Sequence, residues 1–248
     1  MTKPAKPRKP RPEPEPLPEA LVTEAWGRAD VRRWLWRGLM MMVGLVLAAV
    51  LLFSLVDPPG TYTIWSEGRR LGGAEQEWVD FEDVAPVMAR SIVAAEDANF
   101  CLHWGFDMAA IRQAIDAGGQ RGASTISQQV AKNVYLWQGR SWPRKALEAV
   151  LTPLVELTWS KRRILEVYMN VAELGEGVFG VQAAARHWFG VDAARLSPTQ
   201  AARLAAILPD PKGRDPAKPS RFVQRRAAAI ADGANTIRAD GRAACFED

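Results

Sequence analysis

The sequence predicts a mainly α-helical protein with one N-terminal transmembrane helix. The first observation behind this fold class is an uncharged apolar run at residues 38–56, GLMMMVGLVLAAVLLFSLV, whose nineteen residues nearly match the hydrocarbon core of a bilayer. The second is that apolar residues beyond this run recur every three or four positions almost throughout. A chain of 248 residues with 48% hydrophobic content is sufficient for one folded domain plus appendages, which excludes general disorder.

The segment before the apolar run, residues 1–37, is predicted to be a disordered basic arm. Its first nineteen residues alternate proline with lysine, arginine and glutamate, a composition that cannot bury a core. Arginines close to the run place the N-terminus in the cytoplasm by the positive-inside rule, with everything after Asp57 on the other side. An uncleaved anchor is favoured over a signal peptide, which has a shorter apolar region, and over a core helix, which seldom lacks polar residues for this length.

Residues 57–216 are predicted to form the main domain. Tyr62–Trp65 is predicted to be a short strand or an extended stem. The spacing of apolar residues then predicts helices near residues 82–96, 107–117, 125–136, 142–159, 161–171, 181–188 and 198–208. Residues 217–248 are rich in alanine and arginine, and they are predicted to form a helix over residues 224–230 followed by a loose tail.

Composition and short motifs exclude several classes of function. Two cysteines, Cys101 and Cys245, are too few for a disulfide framework, and two histidines cannot complete a zinc-type cluster. The stretch 175–180, GEGVFG, fits the dinucleotide-binding pattern, but a predicted helix precedes it, so we expect a helix-to-helix loop instead. The net charge of +4 suits an anionic partner, although no nucleic acid partner is expected.

The stretch 94–107, AAEDANFCLHWGFD, is the first candidate for chemistry. Glu96 and Asp97 fall at the C-terminal end of a predicted apolar helix, where the helix dipole disfavours negative charge. Apolar neighbours and a helix C-terminus both raise the pKa of a carboxyl group, which suits a general base or acid. On charge alone, the favoured interpretation is that the two residues end a surface helix.

A second candidate is the stretch 122–133, GASTISQQVAKN. Thr125, Gln128, Gln129 and Lys132 are spaced at i, i+3, i+4 and i+7, so they share one face of a helix. Such a face is often only solvated. Two glutamines and a lysine behind a Ser-Thr helix start would also suit sugar hydroxyls and a pyrophosphate.

A third candidate is the stretch 140–148, RSWPRKALE. Glu148, Thr152 and Glu156 then form an i, i+4, i+8 stripe on an otherwise apolar helix. An ordinary Arg144–Glu148 surface pair is the alternative interpretation.

Taken together, these stretches resemble the motifs of the family 51 glycosyltransferases, the peptidoglycan transglycosylases that polymerise cell-wall glycan from lipid II. The spacing E-D-x-x-F-x-x-H-x-G-x-D at residues 96–107 resembles the first motif. The stretch 122–133 resembles the second motif, G-G-S-T-I-S/T-Q-Q, with Ala123 in place of the second glycine, and 140–148 resembles the third, R-K-x-x-E. The fourth and fifth motifs are matched by RRILEVYMN at 162–170 with GVQAAARHWFG at 180–190, and by LSPTQAA at 196–202 with Leu208-Pro209.

The resemblance implies a lysozyme-like helical glycosyltransferase domain over residues 57–216. It implies that Glu96, deprotonated, is the general base and that Glu148 is the second acidic residue of the active site. The substrate-binding residues that it implies are Asp97, Ser124, Thr125, Gln128, Gln129, Lys132, Arg140 and Lys145. No metal ligand is expected. The chain contains no S-x-x-K or K-T-G motif, so a transpeptidase domain is not expected either, and the enzyme would be monofunctional.

The same resemblance implies the partners and the location. The substrates would be lipid II and the lipid-linked growing glycan chain, and other proteins of cell-wall synthesis are candidate partners. No cofactor is required, and a divalent cation, Mg²⁺ or Mn²⁺, would be bound through the pyrophosphate of the substrate. The protein would cross the bacterial inner membrane once, with its catalytic domain in the periplasm.

Two alternative functions remain at this point. A lytic transglycosylase or muramidase would cut the same polymer, but it needs no row of cations such as Lys132, Arg140 and Lys145. A catalytically silent scaffold of wall synthesis needs neither Glu96 nor Glu148.

Overall fold

The computed structural model describes residues 28–118, 122–139 and 141–247. Most of the arm predicted over residues 1–37 therefore lies outside the described residues, as does the predicted site residue Arg140. The chain divides into two units, of which the first ends at Val46 and the second begins at Leu47.

The described part of the first unit is helical. Helix α1 (Arg28–Phe53) begins well before the predicted start at Gly38, so the basic residues next to the apolar run are helical and not disordered. An Asp30–Arg33 ion pair of 3.2 Å supports its first turn, where a carboxylate is favourable to the helix dipole. The stretch Asp30–Phe53 has a mean hydropathy of 2.1 and is long enough to cross a membrane, which is compatible with a single-pass anchor.

The second unit is mainly α-helical, which confirms the predicted fold class. Its helices are α2 (Tyr62–Leu71), α3 (Pro86–Glu96), α4 (Met108–Asp116), α5 (Ile126–Tyr135), α6 (Trp142–Thr158), α7 (Lys161–Val171), α8 (Val181–Phe189), α9 (Pro198–Ile207), α10 (Arg221–Ala239) and α11 (Ala244–Glu247). The helices predicted between residues 82 and 208 are all present, with ends shifted by at most a few residues.

The strand or stem predicted at Tyr62–Trp65 was wrong, because these residues begin helix α2. The Thr61 hydroxyl accepts a hydrogen bond from the Ile64 amide at 3.3 Å, which caps the first turn. Gly72, with φ +79°, ends the helix in the left-handed conformation that glycine adopts easily. Four residues are too few to distinguish a strand from a helix by their apolar pattern.

The loose tail predicted after residue 230 was also wrong. Helix α10 continues to Ala239, and its buried residues recur at helical spacing: Val223, Ala227, Ile230, Ala234 and Ile237. Three of these are β-branched and two are alanines, so the buried face is difficult to distinguish from the exposed alanines of the same segment. Helix α11 follows, and its Phe246 side chain is fully buried.

The glycine-rich stretch 175–180 lies between α7 and α8, as expected, but it contains part of a small sheet. Strands β1 (Glu75–Gln76), β2 (Glu173–Gly175) and β3 (Val178–Phe179) pair in the order β1-β3-β2. Strands β2 and β3 form an antiparallel hairpin, and β1 pairs with β3 in parallel. The hairpin follows helix α7, so the context of a dinucleotide-binding loop is not present here.

Helix α7 lies at the centre of the core, since Ile164, Leu165, Val167 and Met169 are fully buried. It packs against α5, which also packs against α6, while α3 packs against α9 and α10. The C-terminal end of α3, the first turns of α5 and the inner face of α6 are the elements on which the candidate site is built.

Candidate active site

Asp97 ties the end of helix α3 to the start of helix α5. It is the C-cap residue of α3 and is buried. Its Oδ2 accepts a hydrogen bond from the Ile126 amide at 3.0 Å, and its Oδ1 lies 2.8 Å from His103 Nε2. A carboxylate at a helix N-terminus is stabilised by the unpaired amide groups and by the helix dipole. The structure therefore makes Asp97 a positioning residue that holds the end of α3 against the start of α5.

Thr125 and Gln128 form a capping box at the start of α5. The Thr125 hydroxyl accepts from the Gln128 amide at 3.2 Å, and Gln128 Oε1 accepts from the Thr125 amide at 3.1 Å. The same hydroxyl donates to the Gly105 carbonyl at 2.6 Å. Both side chains are buried, so the structure uses their hydrogen-bonding capacity within the chain. Their predicted contact with substrate stays a prediction.

Glu96 is the last residue of α3, and a short relay of hydrogen bonds orients its carboxylate. Gln129 Nε2 donates to Glu96 Oε2 at 2.9 Å, and the Tyr168 hydroxyl donates to Gln129 Oε1 at 3.2 Å. Because an ionised carboxylate only accepts hydrogen bonds, Gln129 must present its amide nitrogen to Glu96 and its oxygen to Tyr168. Burial raises the pKa of Tyr168 well above its ordinary range, so its hydroxyl keeps the proton that it donates.

The environment of Glu96 suits a proton acceptor. Burial raises its pKa, and the nearby Asp97 charge acts in the same direction. The hydrogen bond from Gln129 and the positive charges of Arg226 and Lys132 oppose this shift without cancelling it. A carboxylate with a raised pKa is a stronger base than one in water, which is what general-base catalysis near neutral pH requires.

Glu148 lies on the inner face of α6 and is paired with two cations. Arg144 Nη1 lies 2.8 Å from Glu148 Oε2, and Lys145 Nζ contacts Glu148 Oε1. Lys145 also lies 3.4 Å from the Ser124 hydroxyl, which is exposed ahead of α5. One carboxylate between two cations leaves this group with a net positive charge, in a position open to solvent through Lys145 and Ser124.

Lys132 interacts electrostatically with both glutamates, Glu148 and Glu96. Burial lowers its pKa; Glu148 and Glu96 raise it, and Arg144 and Lys145 lower it. Within the described part of the chain, its ammonium group has no hydrogen bond or ion pair of its own. A half-buried ammonium without a partner is costly unless an anion joins it, so this position is suited to bind one.

The inner face of α6 continues below the site as a buried polar layer. Ser127 donates to Glu156, and Lys161 Nζ lies 2.8 Å from Glu156 Oε1 and 2.8 Å from the His103 carbonyl. The Lys161 ammonium also lies 4.4 Å from the centre of the Phe100 ring. These contacts hold the loop after Asp97 against α5 and α6, so they support the site without facing it.

The predicted residues thus fall into two groups. Glu96, Gln129, Lys132, Glu148, Lys145 and Ser124 come together around one region, whereas Asp97, Thr125 and Gln128 hold the turns beside it. Two residues that the sequence did not predict belong to the site: Tyr168 orients Gln129, and the Arg226 Nη2 atom lies 3.8 Å from Glu96 Oε1. Tyr168 falls within a motif-like stretch, but no local signal could have identified Arg226, which is 131 positions from Ala95, its other partner.

Comparisons with known proteins agree with this arrangement. Residues 65–235 match the family model described as Transglycosylase. The chain belongs to the transglycosylase family. It is 59% identical over 216 residues to a biosynthetic peptidoglycan transglycosylase of Jannaschia sp. (strain CCS1), covering 87% of this chain and 90% of that protein. Proteins of the same name from Xanthomonas campestris pv. campestris (strain B100) and Pseudomonas entomophila (strain L48) are 50% and 49% identical, covering 80% of this chain and 85% and 89% of theirs.

These matches confirm the predicted family and show that the protein is an enzyme, a peptidoglycan transglycosylase. The matched residues of this transglycosylase contain Glu96, Glu148 and all the cations described above. Residues 236–247, which include helix α11, lie beyond the matched stretch.

Proposed function

We propose that this transglycosylase is a membrane-anchored peptidoglycan glycosyltransferase that polymerises lipid II into β-1,4-linked glycan strands. The reaction would proceed with inversion and release undecaprenyl pyrophosphate, and it would include no transpeptidation. The observation that carries the proposal is the placement of Glu96, whose pKa is raised, near two groups. One is Lys132, a half-buried cation with no partner among the described residues, and the other is Glu148, a carboxylate paired with two cations. A glycosyl transfer from a pyrophosphate donor needs such a base and such cations.

Glu96 would take the proton from the C4 hydroxyl of the N-acetylglucosamine end of lipid II. The oxygen then attacks C1 of the N-acetylmuramic acid at the reducing end of the growing chain, from the face opposite the pyrophosphate, which inverts that centre. Gln129 donates its hydrogen bond to Glu96 Oε2, so the lone pairs on Oε1 remain available to accept the proton. The relay from Tyr168 keeps the carboxylate in one orientation, and general-base catalysis depends on such positioning.

The leaving pyrophosphate gains negative charge as the bond to C1 breaks. Preorganised cations at the place where charge develops are commonly the largest contribution to catalysis. Lys132 is our first candidate because it has no partner among the described residues and its ammonium group is partly desolvated. Arg140 and Lys145 are proposed from their motif positions, and Glu148 would hold Lys145 and Arg144 in place.

We propose that the protein itself holds no cofactor. The acidic residues at the site have other partners: Glu148 pairs with Arg144 and Lys145, and Asp97 accepts from the start of α5. Among the described residues, no group of three or more His, Cys, Asp or Glu side chains could hold a metal ion. We propose that a divalent cation, Mg²⁺ or Mn²⁺, accompanies the pyrophosphate of the substrate and neutralises part of its charge.

Helix α6 supports a site of action at a lipid surface, because its polar face is buried and its apolar face is exposed. Its polar residues Glu148, Thr152 and Glu156 are buried, while its outer face is apolar. On that face, the side chains of Val150 and Leu157 are 64% and 73% exposed. An exposed apolar helix face marks a surface that meets a partner or a membrane, and both proposed substrates have lipid tails.

The proposed location is the bacterial inner membrane, with the catalytic domain in the periplasm. Arginines before the apolar run of α1 favour a cytoplasmic N-terminus. The second unit contains a disulfide bond between Cys101 and Cys245, and such bonds persist in oxidising compartments such as the periplasm. Other proteins of cell-wall synthesis are the partners that this location would provide.

Purified full-length protein incubated with labelled lipid II tests the proposal. Glycan polymer is the expected product, whereas cleavage of preformed wall without polymerisation, or no reaction, would contradict it. Glu96→Gln keeps the shape and accepts the Gln129 hydrogen bond but cannot take a proton, so the rate should fall by roughly 10²- to 10⁴-fold. Glu77→Gln, at an exposed carboxylate in a surface ion pair with Arg186, is the matched control and should leave the rate unchanged.

A further inference from the structure

The C-terminal end of the chain contacts the turn that contains Glu96 and Asp97. We use the name C-terminal clamp for Arg226, Arg242 and helix α11 (Ala244–Glu247). Arg242 Nη1 donates to the Ala98 carbonyl at 3.0 Å. Cys245 of α11 is joined by a disulfide bond to Cys101, 144 positions earlier, in the 3-10 turn that follows Asp97. Two cysteines do not make a disulfide framework, but these two form a single bond that was not predicted from the sequence.

Helix α11 is held by further contacts on both sides of this bond. The Phe246 ring is fully buried, with its centre 6.4 Å from that of Phe100, and Arg162 Nη1 donates to the Phe246 carbonyl at 3.0 Å. Glu247 forms a 2.6 Å ion pair with Arg90 of α3, the helix that ends at Glu96. The clamp is therefore attached to α3, to the turn after it and to α7.

Arg226 brings the clamp to the base itself. Its Nη2 lies 3.4 Å from the Ala95 carbonyl and 3.8 Å from Glu96 Oε1, and its buried Nε has no hydrogen-bond partner in the described residues. Its charge favours the ionised form of Glu96, as does Lys132 of α5, whereas Asp97 disfavours it. Tyr168 of α7 is hydrogen-bonded to Gln129, which in turn donates to Glu96.

We propose that the C-terminal clamp positions Glu96 for catalysis: its disulfide bond and hydrogen bonds fix the turn, and Arg226 orients the carboxylate and supplies positive charge beside it. This inference rests on the proposed function, in which Glu96 is the base. Arg242 and helix α11 lie beyond residues 65–235, the stretch that matches the family model, whereas Arg226 lies within it. A displacement of about 1 Å in a catalytic group can reduce the rate by up to about 10²-fold, which gives such a tether a catalytic effect.

The first test replaces Arg226 in the full-length protein. Arg226→Met should lower kcat on the order of tenfold. It should also move the acid limb of the pH–rate profile to higher pH, because the ionised form of Glu96 loses a favourable charge. Arg226→Lys should restore the limb. Arg225→Met removes an exposed arginine that has no hydrogen bond or ion pair with the described residues, and it is the matched control.

The second test removes the covalent tie with Cys101→Ser/Cys245→Ser, assayed well below the thermal transition of the variant. We expect kcat to fall on the order of tenfold with KM little changed, since the turn orients the base and does not form most of the substrate contacts. Hydrogen exchange of the amides in residues 95–101 should become faster than in the wild type.

Two results would overturn the proposal. The first is an Arg226→Met enzyme with wild-type kcat and an unmoved acid limb; the second is a disulfide-free enzyme with wild-type kcat and unchanged exchange in residues 95–101. Failure of the proposed function is distinguishable, because the wild type would then not polymerise lipid II. Hydrogen exchange needs no substrate, so it would still report whether the clamp holds the turn.

Discussion

Gly105 lies where an added methyl group would meet the buried face of α6, and Gly105→Ala is therefore a sharp test of how the site is packed. Gly105 has φ +84°, and a Cβ atom there would lie 2.6 Å from Thr152 Cγ2 and 3.1 Å from Glu156 Cγ. Its carbonyl accepts the Thr125 hydroxyl at 2.6 Å, so any displacement passes to the start of α5. We expect Gly105→Ala to lower both the stability and the rate.

The expected loss of stability has two parts. A residue other than glycine in the left-handed region costs about 1–2 kcal/mol, and forcing a methyl group into a packed interior costs about 1–3 kcal/mol more. For a domain of this size, about 1 kcal/mol corresponds to about 2–4 °C in Tm. The sum of roughly 2–5 kcal/mol predicts a decrease in Tm of about 4–20 °C.

Two further variants separate these parts. Gly72→Ala, at φ +79° with nothing within 4 Å of the added Cβ, should show only the conformational part. Thr152→Ser removes the clashing methyl group and keeps the hydroxyl that donates to the Glu148 carbonyl at 2.7 Å. Gly105→Ala should therefore cost about 1–3 kcal/mol less in the Thr152→Ser background, as measured by a double-mutant cycle of Tm values in detergent. An equal cost in both backgrounds would refute the packing argument.

Two other predictions concern the substrate. Lys132→Ala and Arg140→Ala should each lower turnover of lipid II while the circular dichroism spectrum stays that of the wild type, because each removes a charge that the proposed function assigns to the leaving group. Wild-type rates in both would show that the pyrophosphate is bound elsewhere. Val150→Glu and Leu157→Glu, on the exposed apolar face of α6, should leave Tm within about 2 °C of the wild type but lower the rate on lipid II in proteoliposomes; a wild-type rate there would contradict a lipid-facing α6.

Local signals were sufficient for most of the fold. The helices between residues 82 and 208 have apolar residues at helical spacing and start signals within a few residues, such as Ser197 with Gln200, which do form a capping box. The prediction failed for helix α2 because its first four residues are all aromatic or β-branched, which is typical of a strand, and the capping Thr61 lies just outside them. The prediction also failed for helix α11, because this helix is stabilised by packing against distant parts of the chain and not by its own composition.

The sequence predicted which residues belong to the site better than it predicted how they are arranged. The spacing of Thr125, Gln128, Gln129 and Lys132 placed them on one face, but the first two cap the helix and only the last two face Glu96 and Glu148. A capping box and a polar binding face have the same spacing in a sequence, since both need side chains three or four positions apart.

Contacts between distant segments could not be predicted at all. Nothing near Cys101 specifies Cys245, because pairing depends on how α10 returns the chain to α3. The inverted polarity of α6 is a related case. Its stripe of polar residues was visible in the sequence, but a polar stripe is ordinarily the solvated face, and here Thr152 is fully buried.

Ionised Glu96 should lower the stability of the folded protein, and this effect can be tested without substrate. Burial raises the pKa of Glu96 in the folded state. The protonated side chain therefore contributes stability that is fully present below the pKa of the unfolded state, and this stability is lost as pH rises through the pKa of the folded state. Glu96→Gln stays neutral and should therefore raise Tm above the wild type at neutral pH, while the difference shrinks on acidification.

Glu67 provides the control of opposite sign for that measurement. The hydrogen bond from Arg70 lowers the pKa of Glu67, so its stabilising contribution is present above the unfolded pKa and is lost as pH falls through the folded pKa. Glu67→Gln should lower Tm at neutral pH by thermal unfolding in the same detergent. If Glu96→Gln also lowered Tm at neutral pH, burial would not be the dominant influence on Glu96, and the reason for assigning it a raised pKa would be lost. If Tm rises while polymerisation falls, the same carboxylate is costly to the fold and required for the reaction, as expected of a catalytic base held in a partly buried site.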